Sequence, residues 1–478
     1  MGKNRQEMVK EFLKNISIYG ILPVVGKFLS FLLVPLYAKM FSVEEFGMID
    51  VIDVFVFFLL LLTSFEIPTA LGRYFYESED GNYKKTIIST GLYLTLFFTV
   101  IFTSLAFLLE ESILTNYIGS TQYAYVFRLA LIWLFVSSIN TYLSFIPRYS
   151  NKPKQYVIVS LISISTKLLS TVLFVVVLRM GLEGVFWGYI CGSGLSCIIY
   201  YLIARKYIGF EFSVSLAKKL ILYAAPLMLG VLAMGTWAPL SRYLILSFFP
   251  LAVMGYYSFS SRIISVNSII HTALGTAWKP MLFENKDILT QADYIKRISG
   301  LMSLLSLSIG ITLTIFAPEI TLLIGKSDFL GGIAFIGLLA LASTIKALTE
   351  LRGFAPYLTD KTYIVSVTNV LALLICAIIM ILAKNRLGIV GIGLVMILYE
   401  TINYIFLTFY SYKSYRIPLH NTYEIGLVLL LILAELSIMY SLTLFIRGTL
   451  FLILALYVFC ILKKIGGIEK ISNFLKKK

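Results

Sequence analysis

The chain has 478 residues, of which 59% are hydrophobic and only 14% are charged. Soluble domains carry about 25% charged residues, so this composition excludes an ordinary soluble protein and indicates a polytopic membrane protein. The net charge of +15 would suit a nucleic-acid partner, but the basic residues lie between apolar segments in the pattern expected at membrane surfaces, so we expect no nucleic-acid binding.

Apolar segments of about 20 residues recur along the chain, each long enough as a helix to cross about 30 Å of hydrocarbon. They are continuously apolar, whereas β-barrel strands alternate at every second residue. The predicted fold class is therefore an all-α polytopic membrane protein with about 14 transmembrane helices. The predicted spans are 16–40, 46–69, 85–109, 123–147, 155–178, 182–204, 219–245, 253–280, 298–325, 331–358, 363–384, 388–411, 422–446 and 448–463.

Basic residues are distributed unequally between the two sides of the predicted membrane. When alternate loops are assigned to opposite sides, most of the 40 lysines and arginines fall on the side that holds both termini. By the positive-inside rule this side is the cytoplasm, so both termini are predicted to be cytoplasmic. The four cysteines lie in apolar segments without metal-ligand spacing, which predicts packing roles; we expect no metal and no cofactor.

Two motifs recur with nearly the same offset. The sequence FSVEEFG (41–47) is matched by FPLAVMG (249–255), both F-x5-G and 208 residues apart. The sequence RMGLEG (179–184) is matched by RLGIVG (386–391), both R-x-G-x-x-G and 207 residues apart. Each motif alone is weak, but the common offset indicates an internal repeat.

The offset covers six predicted spans, an even number, so both repeats enter the membrane in the same direction. Such repeats are related by a pseudo-two-fold axis along the membrane normal, as in transporters with a central cleft. We therefore predict an N-terminal lobe at 1–210 (spans 1 to 6) and a C-terminal lobe at 211–415 (spans 7 to 12). Two further helices and a basic cytoplasmic tail occupy 416–478.

Several basic residues fall within the predicted spans. A lysine or arginine at the centre of a membrane helix costs about 2.5 to 3.5 kcal/mol on insertion scales, so those that cannot reach a membrane surface should face protein or water. Together they predict a cleft with fixed positive charge, suited to an anionic phosphate or pyrophosphate headgroup. These residues are Lys27, Arg128, Lys167, Arg242, Arg262, Lys346 and Arg352.

Lys27 and Lys167 are the strongest candidates, because each lies about twelve residues, or about 18 Å of helix rise, from either end of its span. Ser160, Ser163 and Ser170 share a helix face with Lys167 at spacings of three and four residues. This polar stripe is consistent with a cavity wall. Serine also fills close contacts between membrane helices, so the stripe alone leaves both readings open.

The other intramembrane charges have simpler alternatives. Lys346 is followed one turn later by Glu350, a spacing at which the two could neutralise each other. Arg128 and Arg242 lie near span ends and could extend to the membrane surface. Glu66, near the cytoplasmic end of span 2, could pair with a cation or carry a coupling proton.

Three segments carry a family resemblance: 19–47, 225–263 and 369–393. They resemble the polysaccharide flippases, which are the O-antigen, capsule and teichoic-acid exporters of the multidrug/oligosaccharidyl-lipid/polysaccharide superfamily. The resemblance extends over nearly the whole chain and depends on the order and spacing of degenerate motifs. Peptidoglycan-precursor flippases use arginines in span 1, where this chain has Lys27, so the resemblance does not imply the same substrate.

The resemblance implies a transporter, not an enzyme, in the bacterial cytoplasmic (inner) membrane. It implies that an undecaprenyl-pyrophosphate-linked oligosaccharide passes from the cytoplasmic to the outer leaflet by alternating access. The implied partners are this lipid-linked oligosaccharide, the membrane and other polysaccharide-assembly proteins. Glu66 is the coupling candidate, and the substrate-binding candidates are Lys27, Lys167, Arg242, Arg262, Arg128 and Lys346.

Two alternatives remain open from the sequence. A cation-coupled drug exporter of the same superfamily would share the topology but is expected to use carboxylates for cationic substrates. A polysaccharide polymerase or ligase would be expected to carry a substantial outer loop, whereas the longest one predicted is about 110–122.

Overall fold

The computed structural model describes residues 25–150, 152–284, 292–359, 361–384, 386, 388–416 and 423–465. Residues 16–24 of the first predicted span and the basic tail after residue 465 lie outside the described residues. Within these ranges the regular secondary structure is helical, without a β-strand. The first described turns, at 25–31, are helical as well.

The longer helices, of eight residues or more, are numbered here in chain order. Shorter helical turns lie between some of them, for example at 110–118 and 327–332. The longer helices are α1 (Leu33–Met40), α2 (Val43–Ser64), α3 (Ile67–Tyr74), α4 (Gly81–Leu108), α5 (Ala124–Tyr149), α6 (Pro153–Val172), α7 (Gly181–Ala204), α8 (Val214–Gly235), α9 (Trp237–Phe248), α10 (Leu251–Glu284), α11 (Ala292–Ile315), α12 (Ala317–Ile324), α13 (Ala334–Arg352), α14 (Tyr363–Ala383), α15 (Ile389–Tyr415), α16 (Tyr423–Met439) and α17 (Leu444–Ile465).

The helices account for the predicted membrane spans. In the described part of the chain, ten are long and apolar enough to cross a membrane, or eleven if the bent pair α11 and α12 is one span. Each of the 14 predicted spans coincides with at least one helical segment. The prediction of an all-α polytopic membrane protein is confirmed, and the protein crosses the membrane many times.

In predicted spans 2 and 9, the helix breaks just before a proline. In span 2, Phe65 and Glu66 adopt left-handed backbone angles, with φ of 45° and 53°, before Pro68 in the first turn of α3. In span 9, α11 and α12 meet at 74°, with Pro318 in the first turn of α12. Proline lacks the amide hydrogen that continues a helix but is well accommodated in a first turn.

The chain divides into two compact units, Met1–Ser258 and Phe259–Lys478. Within the first unit, α8 packs against α2, α3 and α4, and α9 packs against α2. These two helices follow residue 210 in sequence, so the compact units do not follow the predicted lobe boundary. The lobes at 1–210 and 211–415 stay predictions about the internal repeat.

The first repeat motif, FSVEEFG, forms the start of α2. The side chain of Ser42 accepts a hydrogen bond from the amide of Glu45 at 3.1 Å, and the carboxylate of Glu45 accepts one from the amide of Ser42 at 2.9 Å. This reciprocal pair satisfies two amides that would otherwise lack partners at the helix start. The motif therefore fixes where α2 begins and places Gly47 in its second turn.

Small residues on α7 allow close packing against α6 and the helical segment that continues it, Leu173–Val177. Gly184, Gly188, Gly192 and Ser196 recur at every fourth position and so lie on one face. A Cβ on Gly192 would lie 2.7 Å from the Cβ of Lys167. Membrane helices approach closely where such small residues align, so this face of α7 fixes the backbone that carries Lys167.

Replacing Gly188 with alanine should loosen this contact. The added Cβ would lie 2.1 Å from the Thr171 hydroxyl oxygen and 2.8 Å from the Thr171 backbone nitrogen, so the helices must move apart. We expect a cost of about 1 to 3 kcal/mol, visible as a lower melting temperature of the protein purified in detergent. Gly194→Ala is the matched control, because a Cβ on Gly194 meets open space on the same helix. Equal melting temperatures for the two variants would contradict this packing.

In the second unit, ion pairs attach α16 and α17 to the rest of the unit. The guanidinium of Arg352, which has 0% exposure, pairs with Glu424 and donates to the Tyr404 hydroxyl at 2.7 Å. Arg447 pairs with Glu319 at 2.7 Å, near the other end of this helix pair. Arg352, an intramembrane charge in the sequence, therefore has a structural role.

Candidate functional site

Lys167 lies on α6 beneath two aromatic rings. Its Nζ is 3.2 Å from the centroid of the Tyr189 ring on α7 and 5.6 Å from that of Trp133 on α5. An ammonium over aromatic faces gains from about 0.5 to 2 kcal/mol, more where water is excluded. Because Gly192 fixes the backbone beside it, the position of Lys167 follows from the packing of α6 on α7.

Polar side chains hold these rings in place. The Tyr189 hydroxyl donates to Asp53 Oδ2 on α2 at 3.3 Å. Trp133 Nε1 donates to the Ser193 hydroxyl at 3.2 Å, and the two rings meet edge to face with centroids 4.9 Å apart. We call Asp53, Trp133, Lys167, Tyr189 and Ser193 the Lys167 cluster. It joins four helices of the first unit and contains both a cation and a carboxylate.

Lys27 lies on a helical segment next to α6. A Cβ on the neighbouring Gly26 would lie 3.3 Å from Ile164 Cδ1, one turn before Lys167. Both lysines are partly buried. The structure therefore places the two strongest sequence candidates on adjoining helical segments.

The serine stripe of span 5 is used for helix packing. Ser160 hydrogen bonds with the Tyr200 hydroxyl at 2.8 Å, and the Ser163 hydroxyl donates to the Gly192 carbonyl oxygen at 2.9 Å. Ser170 donates to the Thr166 carbonyl oxygen of its own helix. Of the two readings of this stripe, these contacts favour close packing between α6 and α7.

Arg242 on α9 forms a second charged group with Asp50 on α2. Its Nε donates to Asp50 Oδ2 at 3.1 Å, and one terminal nitrogen donates to the Tyr257 hydroxyl at 3.3 Å. The side chains of Arg242 and Asp50 are only 13% and 11% exposed. This is a buried ion pair between the end of the seventh predicted span and the start of the second.

The two repeat-related glycines meet beside this ion pair. A Cβ on Gly47 would lie 2.6 Å from the backbone nitrogen of Gly255, and one on Gly255 would lie 1.9 Å from the Val43 carbonyl oxygen. Tyr117 stacks on Tyr243, with centroids 5.7 Å apart and planes 8° from parallel. We call Gly47, Asp50, Tyr117, Arg242, Tyr243 and Gly255 the Asp50 cluster. Only glycine allows the backbones at 47 and 255 to approach this closely.

The remaining candidates lie elsewhere. Arg128 on α5 pairs with Glu110 at 2.9 Å and lines a groove of about 710 Å³ with apolar residues of α4 and α5. In the second unit, Arg262 on α10 is partly buried and Lys346 on α13 is exposed. Glu66, at the break after α2, accepts a hydrogen bond from the Thr69 hydroxyl at 2.6 Å.

Sequence reasoning missed Trp133, Tyr189 and Asp50. Aromatic residues are common in apolar spans, so the two rings carry no signal of their own. Asp50 carries a signal, because Asp50 and Asp53 lie one turn apart within the largely apolar stretch 46–65, and intramembrane carboxylates mark functional sites. Through this pair, α2 contacts both the Lys167 cluster and the Asp50 cluster.

The family comparison identifies one match. The profile of the family described as "Polysaccharide biosynthesis protein" matches residues 12–286, more than half of the chain. No curated protein matches the sequence.

Solved structures with the same fold are transporters. Lipid II flippase MurJ, in an inward closed conformation, is 14% identical with a TM-score of 0.74, and the match covers 93% of this chain and 98% of that one. A multidrug-resistance MATE family transporter in an inward-facing conformation is 13% identical with a TM-score of 0.65, covering 82% and 94%. A superfamily transporter from Pyrococcus furiosus is 14% identical with a TM-score of 0.55, covering 84% and 96%.

At these identities the structural likeness establishes the fold, and the sequence profile establishes the family. The chain therefore belongs to the polysaccharide biosynthesis protein family, and it has the fold of the transporters and flippases of the multidrug/oligosaccharidyl-lipid/polysaccharide superfamily.

Proposed function

We propose that the protein is a flippase that moves an undecaprenyl-pyrophosphate-linked oligosaccharide from the cytoplasmic to the outer leaflet by alternating access. Family membership supports a role in polysaccharide biosynthesis, and the fold supports transport over catalysis. The lipid tail would stay in the bilayer while the headgroup crosses through the protein. The glycan would then be available for assembly on the outer side.

The Lys167 cluster is the observation that carries this proposal. Its ammonium lies within a membrane span, over the faces of Tyr189 and Trp133. A lysine ammonium is a common ligand of phosphate, so the cluster is suited to a phosphate or pyrophosphate group. Lys27 on the adjoining helix adds a second cation for the same headgroup. Arg242, Arg262, Arg128 and Lys346 remain further substrate-binding candidates, and Glu66 remains a coupling candidate.

A second candidate function is cation-coupled export of a drug or other small molecule. Asp53 favours it, because this carboxylate lies in the Lys167 cluster and accepts from the Tyr189 hydroxyl. A carboxylate within an aromatic cluster suits an organic cation. The two functions differ in the charge of the substrate, so a competition between an anionic lipid headgroup and a cationic dye separates them.

We further propose that the protein lies in the bacterial cytoplasmic membrane with both termini in the cytoplasm, where other polysaccharide-assembly proteins are candidate partners. In this orientation, the ends of α1 and α9 and the starts of α2 and α10 face outward. The Asp50 cluster would then close the outer end of the first unit while substrate enters from the cytoplasm. Opening toward the outside would require Asp50 and Arg242 to separate.

Depleting the protein in its native cell tests the proposed substrate. Lipid-linked oligosaccharide should accumulate in the inner leaflet, and surface polysaccharide should fall, because the glycan is synthesised on the cytoplasmic side. Leaflet distribution is measured with a lectin or a glycan-modifying enzyme added outside spheroplasts. Normal surface glycan together with a normal leaflet distribution, in a strain without another flippase, would refute the proposal.

A further inference from the structure

Glu435 is a buried carboxylate within the second unit. It lies on α16, about twelve residues or 18 Å of helix rise after Tyr423, and only 7% of its surface is exposed. Within the described part of the chain, neither carboxylate oxygen makes a hydrogen bond of good geometry, although the backbone of Gly337 faces the carboxylate. Arg352 and Arg447 of the same unit, by contrast, form ion pairs with other carboxylates.

The space for this carboxylate is provided by Gly337 on α13. A Cβ on Gly337 would lie 2.1 Å from Glu435 Oε2 and 2.9 Å from the Thr314 methyl carbon. Any residue other than glycine would occupy the volume that the carboxylate now fills. Nearby, the side chains of Leu431 and Ala434 belong to an apolar core. The carboxylate is therefore seated in a close-fitting, largely apolar pocket.

Several ionisable groups on the neighbouring helices are engaged elsewhere or lie at a distance along their helices. The helices packed against α16 are α11, α13 and α17. Lys346 and Glu350 follow Gly337 by nine and thirteen positions, or about 13 and 20 Å of helix rise, and both are exposed. The Tyr457 hydroxyl donates to the Tyr423 carbonyl oxygen. The other ionisable residues of these helices are Asp293, Tyr294, Lys296, Arg297, Arg352, Tyr423, Glu424, Arg447, Cys460, Lys463 and Lys464.

An ionised carboxylate is costly in such a pocket. Burying an unpaired charge costs several kcal/mol even after the surroundings relax, whereas the neutral acid avoids most of that cost. We propose that Glu435 is a proton-binding site, protonated in this conformation and able to release its proton when the surrounding helices admit water. Binding converts –COO⁻ and H⁺ into –COOH, with no other group consumed.

A reversible proton site inside a membrane can couple transport to a proton gradient. Glu435 is better suited to this role than Glu66, because the Glu66 carboxylate already accepts a hydrogen bond from Thr69 and is only partly buried. The coupling role rests on the proposed transport function. The protonation of Glu435 does not, so the two are tested separately.

Infrared spectroscopy of the full chain in lipid nanodiscs tests the protonation directly. The spectrum of the wild type minus that of Glu435→Gln, at about pH 7, should contain the C=O stretch of one protonated carboxyl group, shifted in D₂O. Ordinary glutamates are ionised there, since their pKa is about 4.3. Glu350→Gln is the control, because Glu350 is exposed on α13; its difference spectrum should contain carboxylate bands only. A carboxylate band for Glu435 at this pH would overturn the proposal.

A second measurement needs no variant and so does not depend on Glu435→Gln folding. Hydrophobic carbodiimides react with protonated carboxyl groups, and peptide mass spectrometry locates the adduct. Labelling of Glu435 in the wild type should persist up to about pH 7, where ordinary glutamates are ionised. Labelling of Glu435 that is lost near the usual glutamate pKa would overturn the proposal.

Transport in reconstituted vesicles then tests coupling. An imposed proton gradient should accelerate wild-type flipping and should have no effect on Glu435→Gln. Equal stimulation of both proteins would overturn the coupling role but not the flippase function. Absence of flipping by the wild type, with or without a gradient, would instead refute the proposed function.

Discussion

Replacing Lys167 with alanine is expected to weaken binding of a short-chain polyprenyl pyrophosphate by roughly 10- to 150-fold. A hydrogen bond to a charged group contributes about 1.5 to 3 kcal/mol, and about 1.4 kcal/mol corresponds to a factor of ten in affinity. The variant removes the cation that Tyr189 and Trp133 hold in place. Equilibrium binding to the purified protein, measured by calorimetry, gives the change directly.

The control is Lys218→Ala, which removes the same charge from an exposed position on α8. Its affinity should match that of the wild type, because the net charge falls equally while the Lys167 cluster stays intact. Wild-type affinity in Lys167→Ala would exclude direct contact between this lysine and the headgroup. Equal losses in both variants would indicate only a general effect of charge.

Replacing Asp50 with alanine is expected to destabilise the Asp50 cluster by about 3 to 5 kcal/mol, the usual cost of leaving one member of a buried ion pair without its partner. Arg242 would keep its buried position without the carboxylate that now lies 3.1 Å away. The contact between α2 and α9 should therefore open. A cysteine at Tyr117 should react faster with a water-soluble thiol reagent, and the melting temperature should fall.

The double variant Asp50→Ala with Arg242→Ala should recover part of the loss, because it leaves no unpaired charge, and the coupling energy comes from the double-mutant cycle. Glu77→Ala is the matched control. It breaks the Lys219–Glu77 pair at 3.6 Å, whose side chains are 55% and 36% exposed, so a change below about 1 kcal/mol is expected. Additive losses for Asp50 and Arg242 would contradict a coupled pair.

The geometry of α2 suggests how substrate and conformation communicate. Asp50 contacts Arg242, and Asp53, one turn later, accepts from Tyr189 in the Lys167 cluster. A headgroup that draws Lys167 away from Tyr189 would disturb the Tyr189–Asp53 hydrogen bond. Because Asp53 and Asp50 are both on α2, a movement of this helix would also affect the contact between Asp50 and Arg242. In the proposed cycle, substrate binding at one cluster weakens the contact at the other.

Most of the fold could be predicted from the sequence because the bilayer imposes simple rules. Continuous apolar segments must be helices, whereas the breaks before Pro68 and Pro318 were seen only in the structure. In the structure, the F-x5-G repeat motifs lie at the starts of α2 and α10. Their contact could not be predicted, because which glycine meets which depends on how α2 and α10 pack.

The candidate site was only partly predictable, for a related reason. Lys27 and Lys167 could be singled out because their distance from both span ends is a property of the linear sequence. Their surroundings depend on other helices. Trp133 and Tyr189 cannot be distinguished from other aromatic residues in the sequence, because only the packing of α5 and α7 places them next to Lys167. Likewise, Glu435 is visible as an intramembrane acid, but the close-fitting pocket around its carboxylate depends on Gly337, almost a hundred positions earlier.

The most direct test of the proposed function is leaflet exchange by the purified protein in proteoliposomes. A polyprenyl-pyrophosphate-linked oligosaccharide is placed in one leaflet, and its arrival in the other is measured with a membrane-impermeant glycan-modifying enzyme. Wild-type protein should accelerate the exchange well above that in protein-free vesicles, and Lys167→Ala should lose most of this acceleration. Exchange no faster than in protein-free vesicles, together with transport of a cationic dye, would contradict the flippase and favour the drug exporter.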